Sequence, residues 1–192
     1  MAERRSALSR TAAPTGDGAR VVLAEERPAA IAQIQAWPDT LAAVEAAITQ
    51  TLEIEEMPAP GCATDYGGGR LLALGAGRLL VSADDEELVA RCRAAVSSAD
   101  AAIIDISHGR TVFSITGVAA AALLSRCVAL DVDAAAFPPG RVAETAIHHV
   151  DVLIHRQSER RFDIWAPRSF AEALAEWLLD AGAELGLGFG EP

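Results

Sequence analysis

Apolar positions fall into two alternating grammars along this chain, one of period two and one near 3.6. Residues 30–37 read as a strand, although Ile31 and Ile34 depart from strict alternation. Pro38-Asp39-Thr40 then opens a helix whose Leu41, Val44, Ile48 and Leu52 fall on one face, and Met57-Pro58-Ala59-Pro60-Gly61 stops it. Residues 62–70, with Gly67-Gly68-Gly69, have loop composition. Strands at 71–74 and 78–82 flank Gly75-Ala76-Gly77 and suggest a hairpin. Ser82 is placed to cap the next helix, with Asp85 three residues on and Leu88, Val89, Cys92 and Val96 as the buried stripe. A strand at 101–106 completes strand-helix-strand-strand-helix-strand, the order of a split, ferredoxin-like βαββαβ sandwich.

The second half opens with a strand at 111–115 and a helix over 117–128, and two or three strands follow between 141 and 165. Ser169-Phe170-Ala171-Glu172 has the form of a capping box. The helix it would start carries Phe170, Leu174, Trp177, Leu178 and Ala181 on its apolar face and Gly182 at its C-terminal cap. Arg78-Leu79-Leu80-Val81-Ser82 leading into one helix parallels Arg161-Phe162-Asp163-Ile164-Trp165 leading into the other, a weak internal repeat. The fold class expected is α+β: two related α/β-sandwich halves, about 29–106 and 110–186, in a single domain over 21–186. Residues 1–20 are read as a disordered tail and 187–192 as a C-terminal tail.

Composition narrows the chemistry. The 192 residues are 51% hydrophobic but only 5% aromatic, so small apolar side chains dominate. A net charge of −11 repels polyphosphate and argues against nucleic acid. All sixteen basic residues are Arg, and Lys and Asn are absent, which closes lysine Schiff bases, phosphate-loop lysines and Asn glycosylation. Cys62, Cys92 and Cys127 lack metal or redox spacing and fit a reducing cytoplasm. No apolar run reaches the ~18 residues of a membrane span.

Four groups of residues invite a chemical reading. Asp105, Ser107 and His108 suggest a hydrolytic triad, but adjacency at one strand end without a nucleophile elbow favours a tight turn in which Asp and Ser serve backbone amides. His148, His149 and His155 suggest a metal; on a continuous strand His149 and His155 would stand about 20 Å apart, too far to share an ion. Gly67-Gly68-Gly69-Arg70 and Gly75-Ala76-Gly77-Arg78 run into strands, whereas a dinucleotide loop must open a helix. Arg168, just before the capping box, could clamp an anion or make a structural ion pair.

The ordered set Asp105-Ile106-Ser107-His108-Gly109-Arg110, Thr116-Gly117, Asp131-Val132-Asp133, Phe137-Pro138-Pro139-Gly140 and Arg168-Ser169-Phe170-Ala171 resembles the gamma subunit family of heterotetrameric sarcosine oxidase. More distantly it resembles the folate-binding aminomethyltransferase (glycine-cleavage T protein) superfamily. The resemblance spans roughly residues 71–186 and implies an aminomethyltransferase-like folate-binding fold. It also implies a non-catalytic subunit in an enzyme that demethylates sarcosine to glycine, the one-carbon unit passing to tetrahydrofolate or leaving as formaldehyde. The implied partners are larger flavoprotein alpha and beta subunits and a small delta subunit. FAD, FMN, NAD and tetrahydrofolate belong to the former and zinc to the latter, with none in this chain. No catalytic position is carried over, since the chain is about half an aminomethyltransferase and lacks its placed acidic residue. Asp105, His108, Arg110 and Arg168 remain candidate interface or anion contacts. N-methylglutamate dehydrogenases have a similar small subunit, and the sequence does not separate the two substrates. An autonomous folate-binding protein is the reading of another class, which the scarcity of aromatics disfavours.

Overall fold

The computed structural model describes residues 6–8 and 19–190, so most of the expected amino-terminal tail and the last two residues lie outside the described part. The chain divides into two compact units: Pro28–Ser107, and the residues up to Arg27 joined with those from His108 onward. The first strand, β1 (Val21–Glu26), belongs to the second of these.

The unit at 28–107 contains β2 (Ala30–Ala36), α1 (Leu41–Leu52), β3 (Cys62–Tyr66), β4 (Gly69–Gly75), β5 (Arg78–Ala83), α2 (Leu88–Ala95) and β6 (Ala101–Asp105). Its sheet runs β3-β4-β5-β2-β6. Without β3 this is the split βαββαβ arrangement. Ala30, Ala32, Ile34 and Ala36 of β2 form its core with Leu71, Leu79, Val81, Val44 and Ile48 of neighbouring elements. Alanine at three of these four positions is why β2's alternation looks irregular when only large hydrophobes are counted.

The expected loop at 62–70 is instead a hairpin. Gly68 takes φ +99°, and a Cβ on Gly69 would come within 2.0 Å of the Ser82 carbonyl oxygen and 2.7 Å of the Tyr66 ring. The glycines let the Tyr66 ring lie against the backbone, where its hydroxyl donates to Ser82 O at 2.6 Å. Ser82 is therefore a buried β5 residue and not a helix cap; Asp85 still accepts the free Glu87 amide at 2.9 Å.

The second unit adds β7 (Arg110–Thr116), α3 (Ala120–Cys127), β8 (Val142–Ile147), β9 (Val150–Ser158), β10 (Arg161–Pro167), α4 (Ala171–Gly182) and β11 (Leu187–Phe189). The order β11-β1-β7-β10-β9-β8 repeats that of the first unit, with β10 in the place of β5 and β8 in that of β3. One substitution is instructive. The place that β6 holds beside β2 is filled beside β7 by β1, from the far end of the sequence, antiparallel over Val22–Glu26. The strand after α4 is displaced one position outward and pairs parallel with β1, so residues 187–189 are sheet where a tail was expected.

Further departures have local causes. The chain turns at His148 and His149, with His148 at φ +51°, so β8 and β9 are separate strands and the strand-face assignment of these histidines does not apply. The capping box does not form. Arg168–Phe170 is a 3-10 turn following Pro167, α4 begins at Ala171 without a side-chain cap, and Phe170 is exposed. The left-handed residue that ends this region is Gly186, not Gly182.

The core of this unit holds Val21, Leu23, Phe113, Ile115, Ile154, Phe162 and Ile164 against Leu123, Leu124, Leu174 and Leu178. Arg156 intrudes on the same face of β9, only 3% exposed. Its Nη1 donates to Val132 O (3.1 Å) and Phe137 O (3.0 Å), Nη2 to Glu159 O (3.1 Å) and Nε to Ser158 O (3.3 Å), with the guanidinium 5.0 Å from the Phe162 ring centroid. The Asp131–Gly140 connection is thereby pinned to the sheet. Its own turn is set by Asp131 and Asp133, whose carboxylates accept the amides of Asp133 and Ala135.

Replacing Arg156 with Met should cost about 3 kcal/mol or more, because charged hydrogen bonds are lost and buried carbonyls are left without donors. Ser169→Ala should change stability by less than about 0.5 kcal/mol, since that hydroxyl caps no helix. Urea melts of the two variants measure both.

Candidate functional site

The strand end at 105–107 is a closed hydrogen-bond motif. Asp105 Oδ1 accepts from the Ser107 amide at 2.9 Å and from its hydroxyl at 2.6 Å, and Ser107 Oγ in turn accepts the Ile31 amide at 2.9 Å. The hydroxyl proton is thus committed to Asp105, and a lone pair to the amide that precedes β2's pairing with β6. Ser107 is 6% exposed, which keeps it from an incoming carbonyl. His108 is exposed. An arrangement of this kind orients backbone; it does not generate a nucleophile.

Arg110 and Arg168 do come together in register, since Arg110 opens β7 opposite Pro167 at the end of β10. The Arg168 amide donates to Gly109 O at 3.0 Å, and its Nη2 donates to Ser6 O at 2.9 Å. Asp105, in the other unit, belongs to the turn just described.

Sequence reasoning missed three polar groups that the sheet of the second unit buries. Glu25 lies on the core-facing side of β1, 7% exposed, with Oε1 accepting Thr111 Oγ1 at 3.1 Å and the Ala7 amide at 2.8 Å, while Oε2 accepts the Ser6 hydroxyl. Arg156 is the second. On the opposite sheet face Asp163, fully buried, lies 3.3 Å from Arg161 Nε and 3.8 Å from His155 Nδ1, a nitrogen with no hydrogen-bond partner among the described residues; Arg161 also pairs with Glu26. The available signal was a charge at a strand position whose period-two neighbours are apolar: Val21, Leu23, Glu25 and Val150, Val152, Ile154, Arg156.

Among the described residues, no three His, Cys, Asp or Glu side chains converge in a way that could hold a metal ion. His148 stacks on Trp177 with centroids 4.4 Å apart. Burial pushes the Cys92 thiol up to about 11 and raises that of Cys127 as well, so neither is a ready thiolate at neutral pH. Burial likewise raises the Tyr66 phenol, with Cys92 a smaller contributor. No helix among the described residues is long and apolar enough to cross a membrane.

The sequence model of the sarcosine oxidase, gamma subunit family matches residues 38–184. The sarcosine oxidase subunit gamma of Corynebacterium sp. (strain U-96) is 29% identical over 64% of this chain and 60% of its own length. That of Arthrobacter sp. is 28% identical over 55% and 52%. The matched stretches therefore span only 52% to 60% of these curated relatives. Among solved structures, a chain of the heterotetrameric sarcosine oxidase from Corynebacterium sp. U-96, in complex with pyrrole 2-carboxylate, superposes with a TM-score of 0.80 at 26% identity, covering 90% of this chain and 89% of that one. The glycine cleavage system aminomethyltransferase T from Bartonella henselae shares the fold, with a TM-score of 0.65 at 16% identity over 90% of this chain and 48% of that one. The matched residues take in most of both units, and the chain belongs to the sarcosine oxidase gamma subunit family.

Proposed function

We propose that this chain is the non-catalytic gamma subunit of a heterotetrameric sarcosine oxidase working in a reducing cytoplasm. It supports flavin-dependent oxidative demethylation of sarcosine to glycine, with the one-carbon unit passed to tetrahydrofolate or released as formaldehyde. The observation that carries this reading is the 0.80 superposition on a chain of the Corynebacterium sp. U-96 enzyme. The local chemistry agrees with it: Ser107 and Asp105 satisfy each other and a strand amide, and Arg168 is engaged with backbone oxygen. In this reading FAD, FMN, NAD and tetrahydrofolate sit on larger alpha and beta subunits and zinc on a delta subunit. The gamma chain contributes surface and stability.

An obligate subunit of this kind buries roughly 2,000 Å² or more in total. Co-expression with alpha, beta and delta subunits should give one complex from which this chain does not dissociate on gel filtration, and omitting it should lower the yield of assembled enzyme. Failure to co-purify, or tight folate binding by the chain alone in a fluorescence titration, would overturn the reading.

Alanine at Asp105, Ser107, His108 or Arg168 should leave turnover per intact complex within a few-fold. A loss of about 10³-fold with assembly and flavin content unchanged would instead place a catalytic group among them.

A further inference from the structure

Glu25 is a carboxylate that the fold buries and then supplies with donors from a segment outside the sheet. Of its three donors among the described residues, Thr111 belongs to a neighbouring strand; the other two are the Ala7 amide and the Ser6 hydroxyl. The same segment is held from its other side, where Arg168 donates to Ser6 O. Ala7 and Leu8 also pack against the apolar core of this unit. Carboxylate to N–H and hydroxyl, guanidinium to carbonyl, and an apolar floor are the elements by which a protein grips an extended peptide. With the segment in place Glu25 is 7% exposed; without it Thr111 would be the one remaining donor among these three. A buried charge short of donors is costly, so the site favours an occupant that presents both.

We infer that Glu25, Thr111 and Arg168 form a peptide-binding site, and that its ligand is the chain's own Ser6-Ala7-Leu8, which acts as an amino-terminal latch on the second unit. A ligand for this site presents a backbone N–H and a neighbouring hydroxyl to Glu25 and a carbonyl to Arg168. Serine suits position 6 because its Oγ also accepts the Leu8 amide at 3.0 Å, which preshapes the segment.

The test is hydrogen exchange of the full chain, read by mass spectrometry at the segment around Leu8 and, as a control, at Leu23 in β1. The segment should exchange about ten-fold or more slowly than an unstructured peptide of the same sequence. Glu25→Gln, which weakens the acceptor, and Ala7→Pro, which deletes the amide donor, should each remove most of that protection while Leu23 stays protected. If Glu25→Gln also exposes Leu23, Ala7→Pro decides, because residue 7 lies outside every strand. The inference fails if the unmodified chain shows no protection there, or if Ala7→Pro leaves it intact.

Discussion

The second unit depends on β1 lying between β7 and β11. Its sheet needs a strand at the position next to β7, and the chain supplies it from before the inserted unit and not from after α4. Five residue pairs join β1 to β7, and three join it to β11. Without β1 the backbone edges of both neighbours lose their partners, and Val21 and Leu23 leave the core. The geometry is tight as well as hydrogen-bonded. Gly117, at φ +136°, passes so close to Arg20 that a Cβ would lie 2.3 Å from its carbonyl oxygen, so Gly is the residue that fits. The Thr116-Gly117 part of the family signature is thus a constraint on backbone approach.

Other parts of that signature have equally physical readings. Asp131 and Asp133 shape a turn, Phe137 fills the core, and Gly140 donates to the Arg156 carbonyl at 2.7 Å. Arg156 draws this connection together through the Val132 and Phe137 carbonyls and ties it to those of Ser158 and Glu159. Lysine, a compact ammonium, could not reach them with the same fork. Residues that look like chemistry when strung together in sequence are here the fastenings of turns.

The amphipathic elements were legible because their signal is local. The stripes of α1 and α2, the hairpin at Gly75-Ala76-Gly77, the strand of β7 and the repeat relating β5 to β10 all follow from period and turn residues. What escaped was set by distant partners. The Val-Val-Leu-Ala-Glu-Glu run of β1 is short, and its neighbours in the sheet lie at 110–116 and 187–189. The sequence of β3, Cys-Ala-Thr-Asp-Tyr, offers little apolar face because it is an edge strand. Both Ser-based helix starts were overridden: Ser82 by strand pairing with Ile31 and Arg70, Ser169 by the turn that Pro167 imposes. Of the site, Asp105 and Ser107 could be read as a turn from their spacing. The partners of Glu25 and Arg168, and the Val132 and Phe137 carbonyls that Arg156 reaches, could not, since they are distant in sequence.

The placement of β1 also has a consequence for biosynthesis. The ribosome delivers this strand first and its neighbours only after the whole of 28–107 has emerged. The inserted unit is contiguous, so its sheet can close while β1 is still a strand with two open edges and an apolar face. Such a segment invites wrong pairing until its partners arrive. For this protein the interval between the making of β1 and the making of β7 is the window in which a nascent-chain chaperone has most to offer.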